Sequence, residues 1–392
     1  MDLLDFIVPH KDNMKVLSLF DGISCARVAL DRAKLPVEVY YASEIDKYAI
    51  QVSKKNWPNI KQLGSVTEIR VKVPEHESLH TSCINPSIKI DLLIGGSPCQ
   101  DLSIAGRRAG LAGKKSGLFY EYVRILKEVK PKYFILENVN SMSKEARQTI
   151  TEELFNIEPV MINASLVSAQ NRKRLFWVGK LNSRGWYDKV EIPQPKDKEI
   201  FLKDIIHETR GEKFDLEKYI VKGNHLTWVT DKTRLQKKRT NINGDKSITM
   251  MARQYASWNG QYLSIRVGKF NKGGQGDRIY SVEGKSVALS ALGGGRGAKT
   301  GLYLILQKSH GYNNGGLKGL DGKTPTLSKS SWQENNHLIT REYIRKLTPI
   351  ECCRLQCIPD STTDGISDAQ AYKVTGNAFN ADVVAHILSF IK

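Results

Sequence analysis

The sequence predicts an α/β fold: a Rossmann-like, mostly parallel sheet joined to a smaller β-rich domain. Two observations carry this. Apolar runs of strand length alternate with helix-period stretches through residues 15–178, the pattern of strand–helix–strand units. From about residue 184 the chain turns to Gly, Asn, Lys and short strand patterns, and helical patterning returns after 341. The expected segments are a sheet domain over 1–183, a β-rich domain over 184–340, and a C-terminal stretch, 341–392, that goes back to the sheet.

Lys15–Leu19 reads as the first strand, and Phe20-Asp21-Gly22-Ile23-Ser24 turns out of it into a helix near Ala26–Ala33. A turn of small residues at a strand end leaves room for a nucleotide-like ligand against backbone amides. Val37–Ala42 is the second strand, with Glu44 just past it. An acid there either accepts hydrogen bonds from ribose hydroxyls or caps the helix after Asp46. Strand three ends near Leu63-Gly64-Ser65. The apolar run Ile90–Ile94 is strand four, and it opens into Gly95-Gly96-Ser97-Pro98-Cys99-Gln100-Asp101-Leu102-Ser103, at the sheet edge where such folds place ligands.

Leu118–Val129 has helical period, Pro131 breaks it, and Tyr133–Leu136 forms a fifth strand leading to Glu137-Asn138-Val139. Strands four and five are expected as neighbours, which brings Cys99 and Glu137 to one rim. A helix over Lys144–Asn156 and strands at Val160–Ala164 and Leu175–Val178 follow. If Gln170–Arg174 is extended, Arg172 and Arg174 share a face; a solvated charged edge is the competing reading.

Composition narrows the partners. The 59 basic against 41 acidic residues give a net charge of +18, which points to a polyanion. Residues 231–330 alone hold 18 basic and 5 acidic side chains, so the excess is concentrated. No apolar run approaches the roughly 20 residues that span a bilayer, and no basic region leads an apolar core at the N-terminus, so neither membrane anchoring nor secretion is expected. The six cysteines form no paired CxxC motifs; no metal site is expected, and a reduced, cytoplasmic setting suits them.

Within the β-rich region, Gly244–Met250, Glu283–Leu289 and Asp321–Leu327 repeat a turn that opens a strand. Second strands are expected at Tyr262–Ile265, Leu302–Ile305 and His337–Ile339. Their Gly-Lys-Ser and Gly-Lys-Thr units imitate a phosphate-binding loop, but the required upstream glycine is Ile279 in one and Leu317 in the other, which argues against a nucleotide triphosphatase. At the C-terminal end Thr348-Pro349 predicts a capped helix start, with Cys353 and Cys357 toward a core. Tyr372–Ala378 opens a final helix whose Val384, Ile387, Leu388 and Ile391 share one face.

Phe20-Asp21-Gly22, Glu44, Pro98-Cys99-Gln100, Glu137-Asn138-Val139, Gln170–Arg174, Arg345–Pro359 and Gly376-Asn377, in that order, resemble the motif set of the DNA cytosine-5 methyltransferases over nearly the whole chain. Several motifs are particularly similar to the animal de novo enzymes, while the long recognition region resembles bacterial and phage ones. The resemblance implies S-adenosylmethionine as cofactor, double-stranded DNA as substrate, a catalytic cofactor-binding domain over 1–183 and target recognition over 184–340. It implies that Cys99 attacks carbon 6 of a flipped cytosine, that Glu137 serves ring nitrogen 3, that Arg174 holds the ring carbonyl and that Arg172 orders the loop or a phosphate.

Phe20, Asp21, Gly22, Ile23, Glu44, Ile45, Ser65, Pro98, Leu118 and Asn377 are matched to the cofactor. Gln100, Ser103, Arg107, Arg108, Arg253, Arg296 and Lys299 are matched to DNA. Ser65 departs from the acidic residue usual in the family, and looser cofactor binding is the expectation. A monomer is expected, and a paired restriction endonuclease is compatible with the reading. tRNA cytosine-5 methylation competes but has little use for a large groove-reading domain. An inactive DNA-binding regulator would have lost Cys99, Glu137 or an arginine. Methylation of an amino group calls for an Asp- or Asn-Pro-Pro-aromatic signature, and Asn85-Pro86-Ser87 is the nearest approach.

Overall fold

The structure is a computed structural model. It describes residues 13–70, 89–98, 117–206, 217–219, 221, 224–229, 231–237, 239–242, 245–250, 252, 260–265, 305–307, 316–318, 337–338 and 343–391. Two compact units divide the chain: Met1–Glu212 with Lys237–Gly260 and Thr348–Lys392, and Lys213–Gln236 with Gln261–Leu347.

The first unit is built on one sheet. Its strands are β1 (Met14–Leu19), β2 (Val37–Ser43), β3 (Lys61–Gln62), β4 (Leu92–Gly96), β5 (Tyr133–Val139), β6 (Val160–Asn163), β7 (Lys173–Leu181) and β8 (Tyr187–Lys189). The order is β3-β2-β1-β4-β5-β7-β6, with β8 paired to β7. Strands β3 to β5 run parallel, and β7 is antiparallel to β5, β6 and β8. Strand order reverses at β1 and β4, so the turns leaving these two strands open a crevice at the carboxyl edge.

Helices cover both faces because both faces of the central strands are apolar. α1 (Cys25–Arg32), α2 (Lys47–Asn56), α3 (Leu118–Val129) and α4 (Lys144–Glu153) follow the expected periods. α3 buries Phe119, Tyr122, Val123, Ile125 and Leu126 into the core that holds Leu17, Leu93, Phe134 and Trp177. The opposite core gathers α1 with the C-terminal helix residues Val384, Ile387 and Leu388 around Val16, Leu92 and Ile135. Gln62 ends β3, so Leu63-Gly64-Ser65, expected as its close, already belongs to the exit turn.

A short helix α5 (Leu202–Ile205) and the strand β9 (Thr240–Ile242) complete the middle of this unit. In the second unit the described pieces are α6 (Asn224–Val229), α7 (Lys232–Gln236), β10 (Gly260–Ile265), β11 (Ile305–Gln307), β12 (Gly316–Lys318), β13 (His337–Leu338) and β14 (Tyr343–Lys346). β11 pairs antiparallel with β12 and β13, and β14 pairs antiparallel with β10 from Tyr262 to Ile265. β10 and β13 fall at the second strand expected of their repeats, and β11 starts at Ile305, the last residue of the strand expected over Leu302–Ile305, whose earlier residues lie outside the described ones. α6 and α7 replace what read as loop and strand. Helices of five or six residues carry too little periodic sequence to be told from loops.

The C-terminal return is α8 (Pro349–Leu355), α9 (Asp368–Asn377) and α10 (Ala381–Leu388). Thr348 and Glu351 form a capping box with Pro349 at the first position, as the sequence predicts. The expected single final helix is instead two. Ala378 is extended, at φ −70 and ψ 157, and the Asn380 side chain accepts from Val383 N to begin α10. Cys353 is fully buried, while Cys357 lies past the helix end at φ 54 and packs at the core margin. Among the described residues no helix is long and apolar enough to cross a membrane, and no group of three or more His, Cys, Asp or Glu side chains could hold a metal ion.

Candidate active site

The turn after β1 is wound tightly. Phe20, Gly22 and Ser24 all take left-handed φ near +60, a conformation that costs a non-glycine residue roughly 1–2 kcal/mol and persists only where surroundings impose it. Those surroundings are visible. Asp21 N donates to Ser43 O at 3.0 Å, Gly22 N donates to Glu44 Oε2 at 2.8 Å, and the Asp21 carboxylate accepts from Ser24 Oγ (2.5 Å) and Tyr40 OH (2.6 Å).

This winding sends successive side chains opposite ways. Phe20 and Gly22 line an open cleft of about 280 Å³. Asp21 and Ile23, predicted as cofactor contacts, are turned into the core and are 4% and 2% exposed. Asp21 thus acts on the cleft through the backbone. Burial pushes its carboxyl up from 3.8 to about 6, against the lowering effect of its hydrogen bonds.

Glu44 ties this turn to the next one. Its Oε1 accepts from Ile45 N (2.8 Å) and Asp46 N (2.9 Å), so one carboxylate collects three backbone amides from two loops. Capping of α2 belongs to Asp46, which accepts from Tyr48 N and Ala49 N. Asp46 also pairs with Lys373 of α9, and the pair and the cap hold its carboxyl below the usual value against a raising contribution from burial. Sequence reading passed over Lys373, which has no motif signal of its own. Ile45 stays 75% exposed on the cleft.

The cleft is lined by Phe20, Gly22, Glu44, Ile45, Ser65, Pro98, Leu118 and Asn377 among the sequence-predicted cofactor residues, together with Val66, Glu137, Arg172 and Arg174. Apolar faces flank a carboxylate that accepts and a hydroxyl that accepts or donates, a set suited to a nucleoside with a ribose diol and a flat base. Ser65 Oγ lies 2.8 Å from Thr67 Oγ1, so its acceptor capacity is shared locally.

On the other side of the cleft, Gly96 of β4 is register partner to Glu137 of β5. A Cβ at Gly96 would stand 2.8 Å from the Phe379 ring and 3.0 Å from Glu137 Oε2, so glycine is what lets the carboxylate approach this strand end. Asn138 Nδ2 donates to Ser97 Oγ at 3.1 Å and braces the chain just before Pro98. Cys99, Gln100, Ser103, Arg107, Arg108, Arg253, Arg296 and Lys299 lie outside the described residues.

Arg174 Nε pairs with Glu137 Oε1 at 2.7 Å, both side chains mostly buried. The β5–β7 register sets Glu137 opposite Phe176 and Val139 opposite Arg174, so the pair is a diagonal cross-strand contact on one face. Arg172, 4% exposed, behaves differently. Its guanidinium donates to the carbonyls of Met250 (3.4 Å), Gly376 (3.4 Å) and Ala378 (3.0 Å), a cation at the C-terminal end of α9. The two arginines do share the cleft, but one faces a carboxylate and the other pins backbone. A solvated edge is thereby excluded for the two arginines, while Asn171 and Lys173 are exposed.

The C-5 cytosine-specific DNA methylase family is matched over residues 14–392. The chain belongs to this family. Among its relatives, the type II methyltransferase M.HhaI of Haemophilus parahaemolyticus is 28% identical, with 96% of this chain and 93% of that protein covered. The orphan methyltransferase M.SPRI of Bacillus phage SPR is 26% identical over 95% of this chain and 96% of its own length.

Among solved structures, the Entamoeba histolytica methyltransferase EhMeth superposes with a TM-score of 0.60 at 14% identity, covering 96% of this chain and 97% of that one. Dnmt2 of S. pombe gives 0.54 at 15% identity with the same coverage, and both support the fold alone. The methylase uses S-adenosylmethionine, modifies carbon 5 of cytosine in DNA through a covalent cysteine adduct, and acts on a flipped base. The cleft's carboxylate, hydroxyl and apolar walls fit that cofactor.

Proposed function

We propose that the Glu137–Arg174 pair together with Cys99 is the catalytic constellation, and that the basic, β-rich stretch 184–340 reads the target sequence. The observation that carries this is the 2.7 Å pair in the cleft wall beside the strand end Gly96-Ser97-Pro98. Cys99, the next residue after Pro98, adds to carbon 6 of the flipped cytosine as a thiolate, and the displaced electron pair enters the ring. Glu137 gives ring nitrogen 3 a proton or hydrogen bond, and Arg174 steadies the ring carbonyl oxygen, so charge is met where it develops. S-adenosylmethionine supplies an electrophilic methyl group on a sulfonium. Carbon 5 would take that methyl as its bond to the sulfonium sulfur breaks and the neutral thioether departs; a base then removes the carbon 5 proton, and the electron pair left behind re-forms the ring double bond and expels Cys99 as thiolate.

The thiols among the described residues support the assignment by contrast. Burial pushes Cys353 and Cys357 up to about 11 and Cys25 and Cys352 higher still, so all four stay protonated at neutral pH. Phe20, Glu44, Ile45, Ser65, Leu118 and Asn377 hold the cofactor in this reading. Contacts of Gln100, Ser103, Arg107 and Arg108 with DNA offset the few kcal/mol that base flipping costs in this reading. Arg253, Arg296 and Lys299 contact DNA from the basic region. The protein works as a monomer in the cytoplasm at the nucleoid, and a paired restriction endonuclease is compatible with this.

The test is bisulfite sequencing of plasmid from cells expressing the chain, which reads activity and recognition site together. Cys99→Ser should keep duplex affinity while turnover falls by at least about a thousandfold, and a duplex carrying a fluorinated cytosine should trap wild type but not the variant. Retained turnover in Cys99→Ser removes the covalent assignment. Methylation of tRNA in place of plasmid would move the substrate to the competing class.

A further inference from the structure

The first of the three turn-and-strand repeats, Gly244–Met250, has its described residues in the first unit. Residues 245–250 run beside 169–172. Ser247 N donates to Ala169 O (2.7 Å), Asn171 N donates to Ser247 O (2.9 Å), Thr249 Oγ1 donates to Asn171 O (2.5 Å), and Gln170 and Ser247 form a parallel bridge. At the head of this segment Lys246 Nζ donates to three carbonyls, Ser165 (2.9 Å), Ser168 (3.3 Å) and Ile200 (2.5 Å), with the Phe201 ring 5.0 Å away. An ammonium has three N–H donors, and three acceptors here match them. At its tail Met250 O accepts from Arg172.

We infer that Lys246 is a positioning residue for methyl transfer. It anchors one end of a clamp whose other end is the Arg172–Met250 contact, and the clamp fixes the chain that delivers Arg174 to Glu137. Lys246 is turned onto backbone carbonyls. The inference rests on the catalytic reading of Glu137 and Arg174. A displacement of about 1 Å at such a group costs on the order of a hundredfold in rate, so a support this close is expected to be felt in kcat.

Lys246→Met keeps the apolar stem and removes the donors. The expected result is a kcat lowered about tenfold or more, with S-adenosylmethionine affinity by calorimetry, in the absence of DNA, within about twofold. Lys246→Arg, which keeps charge and donors, should recover part of the loss. Lys127→Met, which removes an exposed pair with Glu153 on distant helices, serves as the unaffected control.

Thr249→Val strips one hydrogen bond from the same clamp and should lower kcat about threefold; it decides the matter if Lys246→Met does not fold. A folded Lys246→Met with unchanged kcat overturns the inference. So does a loss shared equally by kcat and cofactor affinity, which marks general loosening. Should Glu137→Gln retain turnover, the catalytic reading itself fails; should it lose turnover while Lys246→Met keeps it, only the clamp fails.

Discussion

Two short segments deliver polar groups to the same cleft, and they are held by different means. The Phe20–Ser24 turn is fixed by its chain neighbours: Ser24 lies three residues from Asp21, Tyr40 nineteen, and Glu44 twenty-two from Gly22. The Gln170–Arg174 segment is fixed from afar, with Arg172 reaching Met250, Gly376 and Ala378 across separations of 78, 204 and 206 residues. A cofactor turn of the first kind forms with its own strand–helix unit. An arginine segment of the second kind reaches its geometry only once the middle and the end of the chain have packed.

Breaking the long-range segment should have the largest effect. Arg172→Lys keeps the charge but loses the planar fork that serves three carbonyls. Turnover is expected to drop about a hundredfold and urea-unfolding stability by about 2 kcal/mol. A variant with near-normal turnover would show that the carbonyl contacts are incidental to catalysis.

The local turn should respond to pH instead. The folded state holds the Asp21 proton more tightly than the unfolded chain does, because the carboxyl is raised from 3.8 to about 6. Its contribution is therefore fully present below about pH 4 and is lost as pH rises through about 6, a change of roughly 3 kcal/mol. The stability of wild type relative to Asp21→Asn, followed by urea unfolding, should fall by about that amount between pH 4 and 7.5. A pH-independent difference would mean that Asp21 titrates as it does in the unfolded chain.

The smallest effect sharpens the cofactor side alone. Ser65→Asp places a full acceptor on the cleft where the hydroxyl now spends itself on Thr67. Calorimetry should show S-adenosylmethionine bound about fivefold more tightly, near 1 kcal/mol. Equal affinities would refute the view that Ser65 loosens the site.

Legibility in the sequence followed the same division. The strands from Met14 to Val139, the helix Leu118–Val129 and the capped start at Thr348-Pro349 were readable because period and capping act within a turn or two of chain. So was the meeting of Gly96 and Glu137, which follows from consecutive parallel strands. The inward turn of Asp21 and Ile23 was not, since it depends on three left-handed residues that motif matching does not see. The break at Ala378–Asn380 and the helices α6 and α7 escaped because each is shorter than the window over which period is measured.

By itself, then, the sequence determined the order of elements, the family, and the residue types brought to one sheet edge, all of which rest on local pattern and fixed chain order. Tertiary structure decided that Arg174 meets a carboxylate, that Arg172 donates to backbone carbonyls, and that Lys246 turns onto backbone. The physical reason is that a buried cation takes its partners from whatever packs around it, and those partners lie tens to hundreds of residues away.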